Sequence, residues 1–337
     1  TVDSDSIWIV GATRSGKTTR LIEQFCIWSQ SVKPLSAKMS SRLGSGRRRI
    51  GQTGPAILVL AANGDNRLEL ADRIAVATQG KYAFDSTTPF GFFEEEVMLF
   101  WPLLVQSLDL RAQFPLRLQP ETELELATRL WRRELDEGIL RQTGVSPNRM
   151  VRRTLDLLQL AAVSGRPVEE IPSILEEGFA GENGSTSLWA GMGELLLSWR
   201  EWCLQRGFLT YGIICELYWR YLLKDITYQQ HLADRYQAVI ADDVDDYPAI
   251  SRHLFELMLD RGAIGAFTYN PDGGVRLGLG ADTEYMAGLE TRCNRVENSD
   301  RQTGLAAEIG DSVVNLAVNS YIFYPLGLSL PGSVRSL

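Results

Sequence analysis

Short apolar runs alternate with helix-like segments near both ends of the chain. A β-prone run over residues 7–10 leads into a glycine-containing loop, and the pattern over 18–28 predicts a helix after it. A second apolar run, 56–62, is also followed by a helical pattern. Strands that alternate with helices in this way predict an α/β fold, in which helices cover a parallel sheet.

The middle of the chain has a different periodicity. Between residues 94 and 235, apolar side chains recur every three or four positions, as at Leu124 and Ala127, which predicts mostly helices. Two strand-like runs, 236–241 and 263–269, then restore the α/β pattern. We therefore expect a helical subdomain inserted into a sheet domain.

Composition narrows the class of protein. The 337 residues contain 34 Lys and Arg against 42 Asp and Glu, a net charge of −8, which argues against a protein that coats nucleic acid or membrane with its whole surface. No apolar run reaches the roughly 18 to 20 residues that span a bilayer, and the first residues do not resemble a signal peptide. We expect a cytoplasmic protein with no membrane partner. Four scattered cysteines and two histidines predict neither a disulfide framework nor a zinc site.

A phosphate-binding motif follows the first strand. Residues 11–18 match G-x-x-x-x-G-K-[ST] between a predicted strand and a predicted helix, which is the context that this motif requires. Glycines let backbone N–H groups turn around a phosphate, Lys17 reaches the terminal phosphates, and the Thr18 hydroxyl is a ligand for Mg²⁺. The residues predicted to contact the nucleotide are Gly11, Ala12, Thr13, Arg14, Ser15, Gly16, Lys17, Thr18 and Thr19.

An acidic run follows the strand predicted at 236–241. Asp242 and Asp243 stand at its end, where a nucleotide site of this kind needs a carboxylate for hydrated Mg²⁺. We assign Asp242, with Thr18, to the metal. Asp243, with Lys17, is assigned to catalysis, although Asp is one methylene shorter than the Glu that usually polarises the attacking water. The alternative is a solvated acidic turn, but four carboxylates in five positions repel one another and favour a nearby cation.

Six segments of the chain together resemble a known family. They are 11–18; 57–63 (ILVLAAN), similar to motif Ia; 87–92 (TTPFGF), similar to a Thr-Phe-His-Ser-Phe segment; 207–211 (GFLTY), similar to Leu-Thr-Phe-Asp-Asp; 242–246 (DDVDD), in the place of Asp-Glu-Phe-Gln-Asp; and 270–282, in the place of Gly-Asp-Asp-Asp-Gln-Ser through Arg-Gly-Ala-Asp. Their order resembles the first motor domain of superfamily 1 DNA helicases of the UvrD, PcrA and RecB type, over residues 7 to about 282.

This resemblance implies a RecA-like P-loop NTPase fold. Residues 1–93 would form the first part of the RecA-like core, 94–235 the helical insertion subdomain, 236–300 the second part of the core, and 301–337 a linker or the start of a truncated second motor domain. It also implies ATP and Mg²⁺ as cofactors and single-stranded DNA as a partner. A second motor domain or partner subunit would complete the ATP site with arginines. Since the sequence has no initiator Met, we expect a fragment.

Four positions depart from the helicase pattern. Asp243 replaces Glu, Asp245 replaces Gln, Gly273 replaces the Gln that senses the γ-phosphate, and Leu279 replaces Arg. Each change either shortens a side chain or removes a hydrogen-bond donor. In the family these groups couple the state of the bound phosphate to the contact with DNA. Weakened later motifs are also a feature of AddB-type subunits of recombination helicase–nucleases, so an AddB-like or otherwise degenerate recombinase is the relative that we expect.

Three functions remain open on the sequence alone. The first is an ATP-binding motor domain of a helicase-like recombination or repair protein, which as an isolated chain would hydrolyse ATP slowly if at all. The second is a degenerate P-loop subunit in which the nucleotide is structural or regulatory. The third, a small-molecule kinase, fits the P-loop but not the series of motifs.

Several features have two interpretations each. The basic segment 33–54 is either a solvated linker or an arm that contacts phosphates. Arginines of the helical region either form a basic face or pair with the Glu and Asp of the same helices; they are Arg132, Arg133, Arg141, Arg149, Arg152 and Arg153. Tryptophans at helical spacing are either a stacking platform for bases or, more typically, core residues; they are Trp131, Trp189, Trp199, Trp202 and Trp219.

Overall fold

Eight strands occur in the computed structural model, which describes residues 5–31, 57–178, 186–274 and 281–299. The segment 33–54, Leu279 and residues 301–337 lie outside the described residues. In chain order the strands are β1 (Ile7–Val10), β2 (Ile57–Leu60), β3 (Asp85–Thr87), β4 (Leu116–Arg117), β5 (Phe208–Leu209), β6 (Ala238–Ala241), β7 (Ile264–Tyr269) and β8 (Arg295–Asn298).

Six of these strands form a parallel sheet in the order β3-β2-β6-β7-β1-β8, and β4 pairs separately with β5, also in parallel. The α/β fold with a parallel sheet is therefore confirmed. The order places β7 between β1 and β6. Because the carboxyl ends of parallel strands meet at one edge, the loop after β1 and the acidic run after β6 lie at the same edge, on either side of the end of β7.

Helices connect the strands and fill the region between β3 and β6. They are α1 (Lys17–Ser31), α2 (Gly64–Ala77), α3 (Pro89–Leu99), α4 (Trp101–Leu108), α5 (Pro120–Leu130), α6 (Arg132–Asp136), α7 (Pro147–Val163), α8 (Ile171–Gly178), α9 (Thr186–Arg206), α10 (Tyr211–Glu216), α11 (Ile226–Arg235), α12 (Ile250–Asp260) and α13 (Thr283–Ala287).

Several helices begin at residues that suit the first turn of a helix. Thr88 caps α3 by accepting from the Gly91 N–H, and Pro89 occupies the first turn, where its missing N–H costs nothing. Asn63 caps α2 in the same way. Pro120 begins α5 with two glutamates in its first turn, which complements the positive end of the helix dipole.

The two faces of the sheet bury different sets of helices. Ile7 and Ile9 of β1 face one side, where they belong to a core that includes Phe25 of α1 and Ile74 of α2. Trp8 faces the other side, because side chains alternate along a strand. There it joins a core that continues through the helices of the middle region. The predicted helical region therefore packs directly on the sheet, and its predicted start at residue 94 falls inside α3.

Burial distinguishes the two interpretations of the tryptophans, and ion pairs distinguish those of the arginines. Trp131 and Trp199 are fully buried and contact each other edge to face, which confirms the core interpretation for them. Trp189, Trp202 and Trp219 are only partly buried. Among the arginines, Arg133 pairs with Glu137 four positions along the chain, as the pairing alternative expects. Arg152 of α7 pairs more closely with Glu123 of another helix, α5, than with Asp156 of its own helix. Within the described ranges, no helix is both long and apolar enough to cross a membrane.

Candidate nucleotide site

The loop after β1 is a tight turn that depends on glycine. A Cβ on Gly11 would lie 2.3 Å from the Ser15 Oγ and 2.9 Å from the Ser299 Cβ, so a side chain at that position would require these neighbouring side chains to move. Gly16 has φ of +91°, and Arg14 is also left-handed with φ of 62°. Arg14 is strained, since a non-glycine residue at positive φ costs on the order of 1 kcal/mol. The loop therefore holds its N–H groups in a shape that an ordinary turn would not adopt.

Lys17 lies across this loop. Its side chain is 6% exposed, and the ammonium donates a hydrogen bond to the Ala12 carbonyl at 3.1 Å. The same nitrogen lies 3.6 Å from Oδ1 of Asp243, which follows β6. The two residues predicted to act in catalysis are thus adjacent, although 226 positions separate them in the chain (243 − 17).

Asp242 is the buried member of the acidic pair. Its Oδ2 accepts a 2.9 Å hydrogen bond from the Thr18 hydroxyl, so the two predicted metal ligands are in contact. Burial, followed by the neighbouring Asp243 carboxylate, raises the pKa of Asp242 to about 6, against the opposing effects of hydrogen bonds and of Lys17. Carboxylate and hydroxyl oxygens are the ligands that Mg²⁺ prefers, and a cation here would relieve the cost of burying this charge.

Thr268 on β7 links the two acids, and the sequence analysis missed it. Its fully buried hydroxyl donates to Oδ1 of Asp242 at 2.6 Å and accepts from the backbone N–H of Asp243 at 2.7 Å. Asp243 itself has φ of 51°, and its side chain is 35% exposed. Thr268 thus holds the Asp242 carboxylate inward, while Asp243 faces Lys17. A polar residue inside the apolar run 263–269 was the available signal.

Asp245 is the third acid at this edge. It is 4% exposed, and its Oδ1 accepts the backbone N–H of Asn270 at 2.9 Å. Burial, and to a lesser degree the charges of Asp243 and Asp246, raise the pKa of Asp245 to about 7. The acidic run is therefore folded into the site and is not a solvated turn.

The remaining predicted residues lie on the same loop or on the first turn of α1. Thr13 is exposed and its hydroxyl accepts from the Asn270 amide at 3.3 Å. Thr19 accepts a 2.9 Å hydrogen bond from Arg73 of α2. The described residues contain no cluster of three or more His, Cys, Asp or Glu side chains arranged as a metal site. A metal at Thr18 and Asp242 would thus need ligands from outside the protein, such as phosphate oxygens.

Two segments that resemble helicase motifs lie side by side near this edge. Phe90, in the first turn of α3, stacks on Tyr211 of α10 with ring centroids 4.0 Å apart and an interplanar angle of 16°. The Arg117 guanidinium lies 5.3 Å from the centre of the Phe90 ring. Both rings are partly exposed, and the Arg117 side chain also pairs with Glu94 at 3.1 Å.

Comparison with models of known protein families finds no match for this chain, and no curated protein is significantly similar to it.

Proposed function

We propose that this chain is an ATP-binding, RecA-like motor domain of a helicase-like DNA recombination or repair protein. The observation that carries the proposal is the pairing, across β7, of Lys17 with Asp243 and of Thr18 with Asp242. Two of these side chains come from the first turn of α1 and two from the residues that follow β6. A lysine, a hydroxyl and two carboxylates in this arrangement suit a triphosphate with its Mg²⁺.

The loop fits a phosphate on independent grounds. The Ser15 hydroxyl is buried and has no hydrogen-bond partner among the described residues. A Cβ on Gly16 would meet nothing within 4 Å, so there is open space beside the loop at that point. A phosphate oxygen would satisfy the hydroxyl, and N–H groups at the start of α1 add positive potential.

Each residue has a distinct role in this proposal. ATP with Mg²⁺ supplies the phosphoanhydride and the cation that neutralises its charge. Lys17 leaves the Ala12 carbonyl to bind terminal phosphate oxygens, Thr18 and Asp242 hold the metal, and Asp243 orients the attacking water. Rapid turnover and movement along single-stranded DNA require the arginines of a second motor domain or partner subunit, worth about 10³ to 10⁵ in rate.

The second candidate is a regulatory P-loop subunit. Two observations favour it: Asp243 is short for a water-orienting acid, and Gly273 offers no side chain to the site. In that case nucleotide binding would persist, but DNA would not change it.

A titration with a fluorescent ATP analogue tests the proposal. The intact chain is titrated with and without Mg²⁺ and single-stranded DNA, beside Lys17→Ala and Asp242→Ala. Lys81→Ala is the matched control, because Lys81 is exposed and lies outside the loop. We expect Mg²⁺-dependent binding that Lys17→Ala abolishes and Lys81→Ala retains, with an affinity that DNA alters. Binding indifferent to DNA supports the regulatory subunit, and no binding refutes both.

A further inference from the structure

Arg14 occupies a position in the loop after β1 that suits glycine. Its φ of 62° lies in the left-handed region, which glycine adopts without penalty and a residue with a side chain does not. Backbone strain of this kind persists only where the surrounding structure holds it in place. The loop thus carries a charged side chain at a point where glycine would be less strained.

The Arg14 guanidinium is available to a ligand. Its side chain is exposed, and it makes no hydrogen bond or ion pair with any residue that the structure describes. Lys17, the other cation in residues 11–19, is buried and already contacts the Ala12 carbonyl and Asp243. Of these two cations, Arg14 is therefore the one that can pair with a ligand without breaking an existing contact.

Arg14 directly adjoins the part of the loop where a phosphate fits. Consecutive Cα atoms are about 3.8 Å apart, so Arg14 lies beside Ser15, whose buried hydroxyl has no partner within the described ranges. Gly16 follows, with φ of +91° and open space where a Cβ would stand. Left-handed residues that alternate with others form the anion-binding nests of phosphate sites. The guanidinium stands on a flexible stem and can therefore reach a phosphate held beside Ser15 and Gly16.

The charges of the site favour a second cation. The acidic run places four carboxyl groups at positions 242, 243, 245 and 246, and Lys17 lies 3.6 Å from the second of them. A nucleotide triphosphate with its Mg²⁺ brings further negative charge to this edge of the sheet. Like charges at short distance repel strongly where water is excluded. A guanidinium offsets this repulsion, and its planar fork of donors matches the oxygens of a phosphate.

The geometry points to Arg14 as a second phosphate-binding cation of the loop, which closes over the phosphate chain of bound ATP. This inference rests on the proposed nucleotide binding. In the family that the sequence resembles, arginines of a second motor domain bring positive charge to the phosphates, whereas Arg14 brings it from within this domain. In the bound state the guanidinium exchanges water for phosphate oxygens, and these charge-assisted contacts offset the strain of the Arg14 backbone.

Replacement of Arg14 by glycine tests the inference, because glycine removes the side chain and also relieves the strain. The full chain is titrated with a non-hydrolysable ATP analogue and Mg²⁺, without DNA, for the wild type, Arg14→Gly and Arg14→Lys. Gln79→Gly is the matched control, since Gln79 is exposed, has φ of 55° and follows α2, outside the loop.

We expect Arg14→Gly to weaken the binding of the analogue by about 10- to 100-fold, the value of a hydrogen bond to a charged group. Gln79→Gly should stay within about 2-fold of the wild type. Arg14→Lys should fall between the wild type and Arg14→Gly, because lysine keeps the charge but not the planar fork.

Urea denaturation without nucleotide separates this role from stability. Arg14→Gly should unfold at a urea concentration no lower than the wild type, so that its loss of affinity reports the missing guanidinium. If Arg14→Gly binds the analogue as the wild type does, or loses affinity only when single-stranded DNA is added, the inference is wrong while the proposed function stands. If the wild type does not bind the analogue, both are wrong.

Discussion

The hydroxyl of Thr268 allows a sharp test of how the acidic pair is held. Thr268→Val keeps the shape of the side chain but removes its oxygen. The change deletes a hydrogen bond to the Asp242 carboxylate and leaves the N–H of Asp243 without an acceptor. Thr268→Ser is the matched control, because it keeps the hydroxyl and loses only a methyl group.

The expected loss follows from these two contacts. A hydrogen bond to a charged group contributes about 1.5 to 3 kcal/mol, and a backbone N–H left unsatisfied costs about 1 to 3 kcal/mol. The hydrogen bond from the Asp243 N–H is only partly buried, so water can relieve some of the second cost. We therefore expect Thr268→Val to lower the free energy of unfolding by about 3 to 4 kcal/mol at pH 7.5, a large share of the roughly 5 to 15 kcal/mol of a typical domain.

Urea denaturation of the wild type, Thr268→Val and Thr268→Ser at pH 5 and pH 7.5 measures the change in the free energy of unfolding. The Asp242 pKa of about 6 means that the carboxylate is largely protonated at pH 5 and ionised at pH 7.5. Since the lost bond favours the ionised form, the effect of Thr268→Val should shrink at pH 5. A valine variant as stable as the wild type at pH 7.5, or a serine variant as unstable as valine, would refute the account of Thr268 as the link between the acids.

Three further predictions concern charge, loop and core. The pKa of Asp245 is raised from its ordinary value to about 7, so the burial of this carboxylate costs more stability as the pH rises from about 4 to 7. Asp245→Asn should therefore be more stable than the wild type by about 2 to 4 kcal/mol at pH 8 and similar to it at pH 4. Equal urea midpoints of the two proteins at pH 8 would contradict this. Gly11→Ala should weaken the proposed nucleotide binding because its Cβ would displace the Ser15 hydroxyl, whereas Gly64→Ala, with open space around it, should bind as the wild type does in the same titration. Trp131→Ala should lower the free energy of unfolding by about 3 to 5 kcal/mol, and a loss under 1 kcal/mol would place this ring outside the core.

Local patterns predicted the parts of this molecule that depend on short stretches of chain. The motif at 11–18 has fixed spacing, and the acids at 242–243 directly follow an apolar run, so both could be found without knowing the fold. The alternation of strand and helix likewise predicted the parallel sheet, although β2, β6 and β7 are shorter than their apolar runs. In β2, for example, Ala61 lies outside the strand at a point where its N–H donates to Thr87.

What could not be predicted depends on contacts between distant segments. Thr268 and Asn270 lie beside the acidic run and the loop only because β7 pairs between β1 and β6. The periodicity of apolar residues predicts strands but not their order in the sheet. The stack of Phe90 on Tyr211 joins residues 121 positions apart (211 − 90). For the same reason the sequence did not predict that Asp245 lies against Gly273, where a Cβ would be 2.6 Å from its Oδ2. Each of the two departures from the family pattern was therefore interpreted by itself, as the removal of a functional group.

The contact between Thr18 and Asp242 has a consequence for biosynthesis. It closes a loop of 224 residues, and Thr268 must also be in place before the two acids are held. Ordering so long a loop is entropically costly, and structures dominated by distant contacts fold slowly. A ribosome-bound chain that has exposed only its first strand and helix therefore carries the lysine but no complete site. On the proposed function, Mg²⁺-dependent nucleotide binding would emerge only when the sheet is complete, so its appearance would report the end of refolding or of translation.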